Sequence, residues 1–126
     1  MGTSVALLYL TLLLIKHNVA DLMLQGRIPG GDTAKLPVFS YKNFIHSCDH
    51  AALGFFVTIP FAGLKLAALL ALAEFVCHYA IDHAKSRIRF GMRWSLQDRR
   101  FWYLQGADQI AHTLWYATMA AIVLSA

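Results

Sequence analysis

Charged side chains are scarce in this sequence of 126 residues, in which Asp, Glu, Lys and Arg together make up 14%. A soluble domain has about 25% charged residues and about 45–50% apolar ones. Here the hydrophobic share is 58%, and the hydrophobic residues occur in long blocks instead of being scattered. The composition therefore points away from a soluble domain and towards a membrane protein.

Features of several common protein classes are also missing. The two cysteines, Cys48 and Cys77, lie in apolar segments, so we expect reduced packing residues and no disulfide framework. The first apolar block lacks a basic n-region, so we expect a retained helix and not a cleaved signal peptide. The sequence has no serine-nucleophile motif and no glycine-rich phosphate loop. Any catalysis would therefore depend on a metal.

The apolar blocks predict four membrane-spanning helices. A spanning helix needs about 20 mainly apolar residues, and the first and last blocks have this length. The long central stretch divides near Pro60 and Gly63, which are helix-ending residues. We predict an all-α fold, a single integral membrane domain over residues 1–126. Its form is an up-and-down bundle of four transmembrane helices, at about residues 4–25, 44–61, 64–84 and 101–125.

The basic residues predict the orientation of this bundle. Nine of the 11 Lys and Arg residues lie in the first and third connections. The positive-inside rule places these connections in the cytoplasm and both termini outside, in the inner (cytoplasmic) membrane. The segment "RFGMRWSLQDRRFWY" mixes Arg with aromatic residues, which predicts contact with anionic lipid head groups. This asymmetry accounts for the net charge of +4, so no nucleic-acid partner is needed.

Each predicted helix carries a pair of ionisable residues four positions apart, and residues at that spacing share a helix face. In an up-and-down bundle, all four pairs fall near the cytoplasmic end. We therefore expect the eight side chains to meet in one polar centre inside the bundle. The pairs are His17 and Asp21, His46 and His50, His78 and Asp82, and Asp108 and His112.

Such a centre predicts bound metal. Ionisable groups inside a membrane are costly unless they face inward and find partners, and helical bundles build metal sites from facing carboxylates and imidazoles. Mixed His/Asp ligation suits zinc, and also manganese or iron, better than calcium. Eight ligands exceed the needs of one tetrahedral ion, so either two ions bind or some of the eight orient the others. Interhelical hydrogen bonding without metal and haem with two axial histidines remain alternatives.

The four segments "HNVADLMLQ", "HSCDH", "HYAIDHAK" and "DQIAH" resemble, in order, the signature segments of a small bacterial and phage integral-membrane family, domain of unknown function 3307. The resemblance spans nearly the whole chain and brings no established activity. The family is similar to a larger group of membrane proteins described as metal-dependent hydrolases. The resemblance covers the eight candidate metal ligands together with Gln25, Lys85 and Gln109.

Two further residues are candidates for catalysis beside the metal. Asp49 lies within reach of His46 and could serve as a general base. Lys85 follows Asp82 by three residues and could hold a phosphate, although a topology signal is the alternative reading of such a lysine. The connection over residues 26–43 is long for a bundle loop, where about 2–8 residues are usual. It is either a lid over the site or a disordered surface loop.

The sequence thus supports three functions. The first is a metal-dependent hydrolase that acts on an ester or phosphoester, such as an amphiphilic phosphate, at the cytoplasmic membrane face. The second is a non-enzymatic metal-binding protein, either a sensor or a transport element. The third is a partner-binding bacterial or phage factor whose polar centre is structural. An oligomer is compatible with each of them.

Overall fold

A computed structural model of the chain, in which residues 2–126 are described, is all-helical. Helix α1 spans Thr3–Asn18 and continues through a π-helical turn, Val19–Leu24, into a short 3-10 turn, Gln25–Arg27. A second 3-10 turn, Asp32–Lys35, precedes the long helix α2, Tyr41–Gly91, and α3 spans Arg99–Ser125. The all-α expectation is confirmed.

Helix α2 is interrupted at Gly63, where φ is 73° and ψ is 171°. Residues with a Cβ atom strongly disfavour this backbone conformation, so glycine is needed there. The sequence predicted a break between Pro60 and Gly63. Pro60 itself lies within the helix, and the break falls at the glycine. We call residues 41–62 the first arm and residues 64–91 the second arm.

The two arms fold back against each other. In an uninterrupted helix, Asn43 and Tyr79 would lie roughly 54 Å apart, at 1.5 Å per residue. Instead, the Asn43 side-chain amide donates a hydrogen bond to the Tyr79 carbonyl at 3.1 Å. The rings of Phe44 and Phe75 also pack edge to face, with their centroids 5.4 Å apart. The arms are therefore antiparallel.

The helix ends differ from the predicted ones. The Ser40 hydroxyl accepts a hydrogen bond from the Asn43 backbone N–H at 3.0 Å, and this cap starts the first arm at Tyr41 instead of near residue 44. The second arm continues to Gly91 instead of ending near residue 84. The predicted end was placed where hydropathy falls. A helix can continue past such a point when its polar residues still pack against the protein, as the buried Ser86 does.

The interior has an apolar end and a polar end. The apolar core lies towards Gly63 and consists of Tyr9, Leu13, Leu70, Tyr116, Met119, Ala120 and Val123. Towards the other end the buried residues are mainly polar. Among residues 2–126, 15 buried residues are polar or charged and 11 are hydrophobic, while 24 large hydrophobic residues are exposed. This is the reverse of the usual soluble pattern, in which charged residues are almost never buried unless paired.

Two helical segments, Thr3–Arg27 and Tyr41–Gly91, are long and apolar enough to cross a membrane. Only 28% and 17% of their most apolar windows are buried, whereas a soluble core helix of this composition would be largely buried. Helix α3, predicted to be a fourth span, is not among these segments in the described part of the chain. Its polar residues, such as Asp108, Gln109 and His112, lower its hydropathy.

The connection between Arg27 and Tyr41 is folded against the second arm. The Tyr79 hydroxyl donates to the Val38 carbonyl at 2.5 Å and accepts from the Ser40 N–H at 2.9 Å. Arg89 contacts Asp32 at 3.1 Å. These contacts give the connection a defined course over the polar end of the interior, which argues against the disordered alternative.

Replacing Gly63 with alanine is expected to destabilise the protein by about 1–3 kcal/mol, because the turn between the arms requires a conformation that is nearly exclusive to glycine. Thermal unfolding of detergent-purified protein, followed by circular dichroism, measures the effect. Gly106→Ala is the matched control. Gly106 lies in α3 with open space around its Cα, so alanine should be neutral or stabilising there. Equal stability of both variants would contradict the proposed turn.

Candidate metal centre

Five histidines from all the packed helical segments meet at the polar end of the interior. The His50 and His78 rings stack with their centroids 3.6 Å apart, and the His78 and His112 centroids are 4.3 Å apart. His46 lies 4.6 Å from His50, and His17 lies 5.0 Å from His112. All five are at most 5% exposed. The predicted convergence of the pairs is therefore found.

Asp21 connects three of these histidines. Its Oδ1 lies 2.9 Å from His50 Nε2 and 3.1 Å from His46 Nε2, and its Oδ2 lies 3.1 Å from His17 Nε2. Within the described residues, no Lys or Arg nitrogen pairs with Asp21 within 4.0 Å. The residue sits in the π-helical turn, a widened turn that is frequent at functional sites.

Asp82 and Asp108 form the opposite side of the centre with His112. The His112 Nε2 atom lies 3.3 Å from Asp82 Oδ1 and 3.5 Å from Asp108 Oδ1. Each carboxylate also has a cationic partner: Lys35 Nζ lies 2.6 Å from Asp82, and Lys85 Nζ lies 3.1 Å from Asp108. The centre is thus bounded by lysines on this side.

The eight predicted ligands fall into three overlapping groups whose ligand atoms lie within 4.8 Å of one another. One group has four members, and the other two have three each and share His112. The groups are Asp21, His46, His50 and His78; His17, His78 and His112; and Asp82, Asp108 and His112. Two of these groups have no member in common, so their residues could hold two ions at once.

Unsatisfied buried atoms support this fit. Within the described part of the protein, the ring nitrogens of His46 and His78 and the Asp108 Oδ1 atom make no well-aligned hydrogen bond. Carboxylates do lie near the two Nε2 atoms, Asp21 at 3.1 Å from His46 and Asp82 at 3.5 Å from His78, but not in hydrogen-bond geometry. Such groups cost about 1–3 kcal/mol each when they are left unpaired. A divalent cation would satisfy them, and imidazole nitrogens with carboxylate oxygens are a donor set for zinc, manganese or iron.

A polar cavity of about 190 Å³ adjoins the centre. Asp21 and Asp82 form part of its wall, and Gln25, Ser86 and Gln105 also line it. Four cationic side chains surround the same space: Lys35, Lys42, Lys85 and Arg89. The cavity therefore combines a candidate metal face with a rim suited to anions.

The two predicted catalytic residues are placed differently. Lys85 lines the cavity and contacts Asp108, so it lies where a substrate anion could be held. Asp49 pairs instead with Arg27 and belongs to none of the three ligand groups. Residues three apart are neighbours on a helix surface, yet the Asp49 carboxylate is held by Arg27, at the start of the first connection, and not by His46.

Sequence reasoning missed two residues of the site. The Tyr116 hydroxyl lies 2.9 Å from His17 Nδ1 and 3.5 Å from His50 Nδ1. Its position four residues after His112 carried the signal, because the two share a helix face. Lys35 reaches Asp82 from the first connection, and no periodicity in a loop could have indicated that contact.

A buried ion pair lies beside the centre, towards the apolar core. Lys16 pairs with Glu74, and the two side chains are 4% and 0% exposed. Lys16 Nζ also donates to the His50 carbonyl at 3.2 Å. Gly54 makes room for the pair, since a Cβ at that position would collide with the Glu74 carboxylate. This pair links α1 with both arms of α2.

The fold and the site together define an all-helical protein with a buried His/Asp cluster able to hold metal. The chain belongs to the family described as "Protein of unknown function (DUF3307)", whose model matches residues 9–126. The predicted family is confirmed. Neither the curated proteins nor the solved structures contain a match to this chain.

Removing one member of the Lys16–Glu74 pair should be strongly destabilising, by about 3–5 kcal/mol, because an uncompensated charge would stay buried. Lys16→Met and Glu74→Gln are the single variants, measured by thermal unfolding in detergent. The double variant Lys16→Met with Glu74→Leu should be more stable than either single variant, because neither charge remains. Additive losses in the double variant would contradict the pairing.

Proposed function

We propose that this chain is a four-transmembrane-helix bundle in the inner (cytoplasmic) membrane. Helix α1, the two arms of α2 and helix α3 are the spans, both termini lie outside, and the basic connections lie in the cytoplasm. Two observations support this arrangement. The exterior is apolar around a buried polar centre, and nine of the 11 basic residues lie in the two connections at the polar end or in the helix ends that flank them.

We propose that the centre binds two divalent cations. Zinc is the preferred ion, and manganese and iron are the alternatives. Asp21, His46, His50 and His78 have the ligand number of a closed tetrahedral site. Asp82, Asp108 and His112 provide only three ligands, which leaves a position for water or substrate, as in catalytic sites. Gln109 supports this second group, because its side-chain N–H donates to Asp108 at 3.0 Å.

The function that this arrangement supports best is a metal-dependent hydrolase of an ester or phosphoester at the cytoplasmic membrane face. A divalent cation supplies Lewis acidity and makes a nucleophile from water at neutral pH. The chain's own residues position the substrate: Lys85, Lys35 and Arg89 face the cavity from two sides. Asp49 has no role in this proposal, because Arg27 holds its carboxylate outside the ligand groups.

One observation carries the proposal, namely the three-ligand group that opens beside a cavity rimmed with cations. A purely structural polar centre would satisfy its own hydrogen bonds, as buried polar groups generally do. Among the described residues, the Nδ1 atoms of His46 and His78 have no hydrogen-bond partner. A sensor or transport element remains the alternative if metal binds and no substrate turns over.

Elemental analysis of the detergent-purified protein tests metal binding. We expect two divalent ions per wild-type chain and the loss of at least one in His78→Ala, because His78 belongs to two of the ligand groups. His83→Ala is the matched control. His83 lies outside all three groups, and its one hydrogen bond within the described residues is to the Lys35 carbonyl, at 3.3 Å. Metal-free wild type, or equal loss in both variants, would refute the proposal.

Two arginines on the second arm test the cationic rim of the cavity. Arg89 lines the cavity and its Nε atom is buried without a partner, whereas Arg87 is exposed and does not line it. Across a panel of phosphoester lipids in detergent, Arg89→Gln should raise KM about tenfold, the value of one charge-assisted hydrogen bond. Arg87→Gln should leave KM unchanged. If wild type turns over no member of an ester and phosphoester panel although metal is bound, the hydrolase assignment fails.

A further inference from the structure

An apolar hollow runs along the outside of the protein next to the centre. It lies between the second arm and α3 and has a volume of about 210 Å³. We call it the lateral groove. Its apolar walls are formed by Ile81, Ala84, Ile88, Leu104, Ala107 and Ala111, and Lys85 and Asp108 also line it.

The lateral groove adjoins the polar cavity. Lys85 and Leu104 line both spaces. The Lys85 ammonium lies 3.1 Å from Asp108, a member of the three-ligand group. A molecule with a charged head and an apolar chain can therefore place the head against the candidate metal face while the chain lies in the groove.

We propose that the ligand of this centre is an amphiphile that carries a phosphate head group and an alkyl chain, and that the chain occupies the lateral groove. This inference rests on the proposed function and adds the substrate class and its direction of approach. The amphiphile enters sideways from the bilayer, between the second arm and α3, and not from the aqueous side.

The charges of the polar cavity favour a phosphate head. Four cationic side chains and three acidic ones line it, the acids being Asp21, Asp32 and Asp82. Two of those acids belong to ligand groups, so a bound divalent cation offsets them and leaves the lysines and Arg89 to face the ligand. Lysine and arginine are the usual partners of phosphate oxygens.

A second apolar hollow, of about 560 Å³, lies beside Phe39, Phe44 and Phe75. It is larger, but none of its lining residues also lines the polar cavity. A chain lying there would not bring its head group to the centre. The smaller, lateral groove is therefore selected, because it shares two lining residues with the polar cavity and is itself lined by Asp108 of a ligand group.

Binding of inorganic phosphate, butyl phosphate and octyl phosphate to the metal-loaded protein tests the inference. Each compound is titrated in one detergent against wild type, Ala107→Phe, Ala84→Phe and the control Ala117→Phe. Ala84 and Ala107 line the lateral groove, while Ala117 is an exposed alanine of α3 outside it. Partitioning of octyl phosphate into micelles is the same for every variant, so the comparison between variants is decisive.

We expect both groove variants to weaken octyl phosphate binding on the order of tenfold, because each methylene kept out of an apolar site costs about fourfold in Kd. Inorganic phosphate binding and bound metal should be unchanged, and this also shows that the variants are folded. Ala117→Phe should match wild type.

Three results would overturn the inference. If octyl phosphate binding is unchanged in both groove variants, the alkyl chain does not bind in the groove, although phosphate can still bind at the centre. A change of oligomeric state in the groove variants, with octyl phosphate binding unaltered, would make the groove a contact between copies of this chain. Failure of wild type to bind any of the three phosphates would overturn the proposed function, and this inference with it.

Discussion

Five buried imidazoles pack against the carboxylates of Asp21, Asp82 and Asp108, and this contact determines how the helices can be arranged. Moving an isolated charge out of water is so costly that buried charges must be paired or bound to metal. Here the pairing comes from every packed segment: α1 and the π-helical turn that follows it supply His17 and Asp21, the arms of α2 supply His46 and Asp82, and α3 supplies His112. The arrangement of the helices is therefore tied to the chemistry of their polar faces.

Lysines pair with three of the buried carboxylates. Glu74 pairs with Lys16 deep beside the apolar core, Asp82 with Lys35 and Asp108 with Lys85 at the cavity. Asp21 differs, since its contacts are with histidines. The carboxylate without a fixed positive partner thus lies among imidazoles, where a divalent cation would supply the missing charge. The lysines mark the side from which an anion can approach.

Much of the fold could be predicted because it follows from periodicity. The i, i+4 spacing of His78 and Asp82 fixes a helix face, and the up-and-down order expected of the helices places the pairs at one end. The helix ends were harder to predict. The second arm runs on to Gly91 because its later polar residues pack against the first connection, and hydropathy does not register such contacts.

In the site, too, contacts between residues close in sequence could be predicted and contacts between distant residues could not. Tyr116 could have been found, since it lies one turn after His112. Lys35 and the partner of Asp49 could not, because both depend on the path of the connection over residues 26–43, which pairs Lys35 with Asp82 and Arg27 with Asp49. A loop carries no periodicity, so its long-range contacts are visible only in three dimensions.

X-ray absorption spectroscopy of the purified protein, at the absorption edge of the metal it carries, tests directly whether the His/Asp cluster binds that metal. We expect a shell of nitrogen and oxygen ligands with the multiple-scattering signature of several imidazoles. If the ion is zinc, the metal–nitrogen distance should be about 2.0–2.1 Å. A sulfur-containing shell, a shell of water alone, or no metal at all would contradict it.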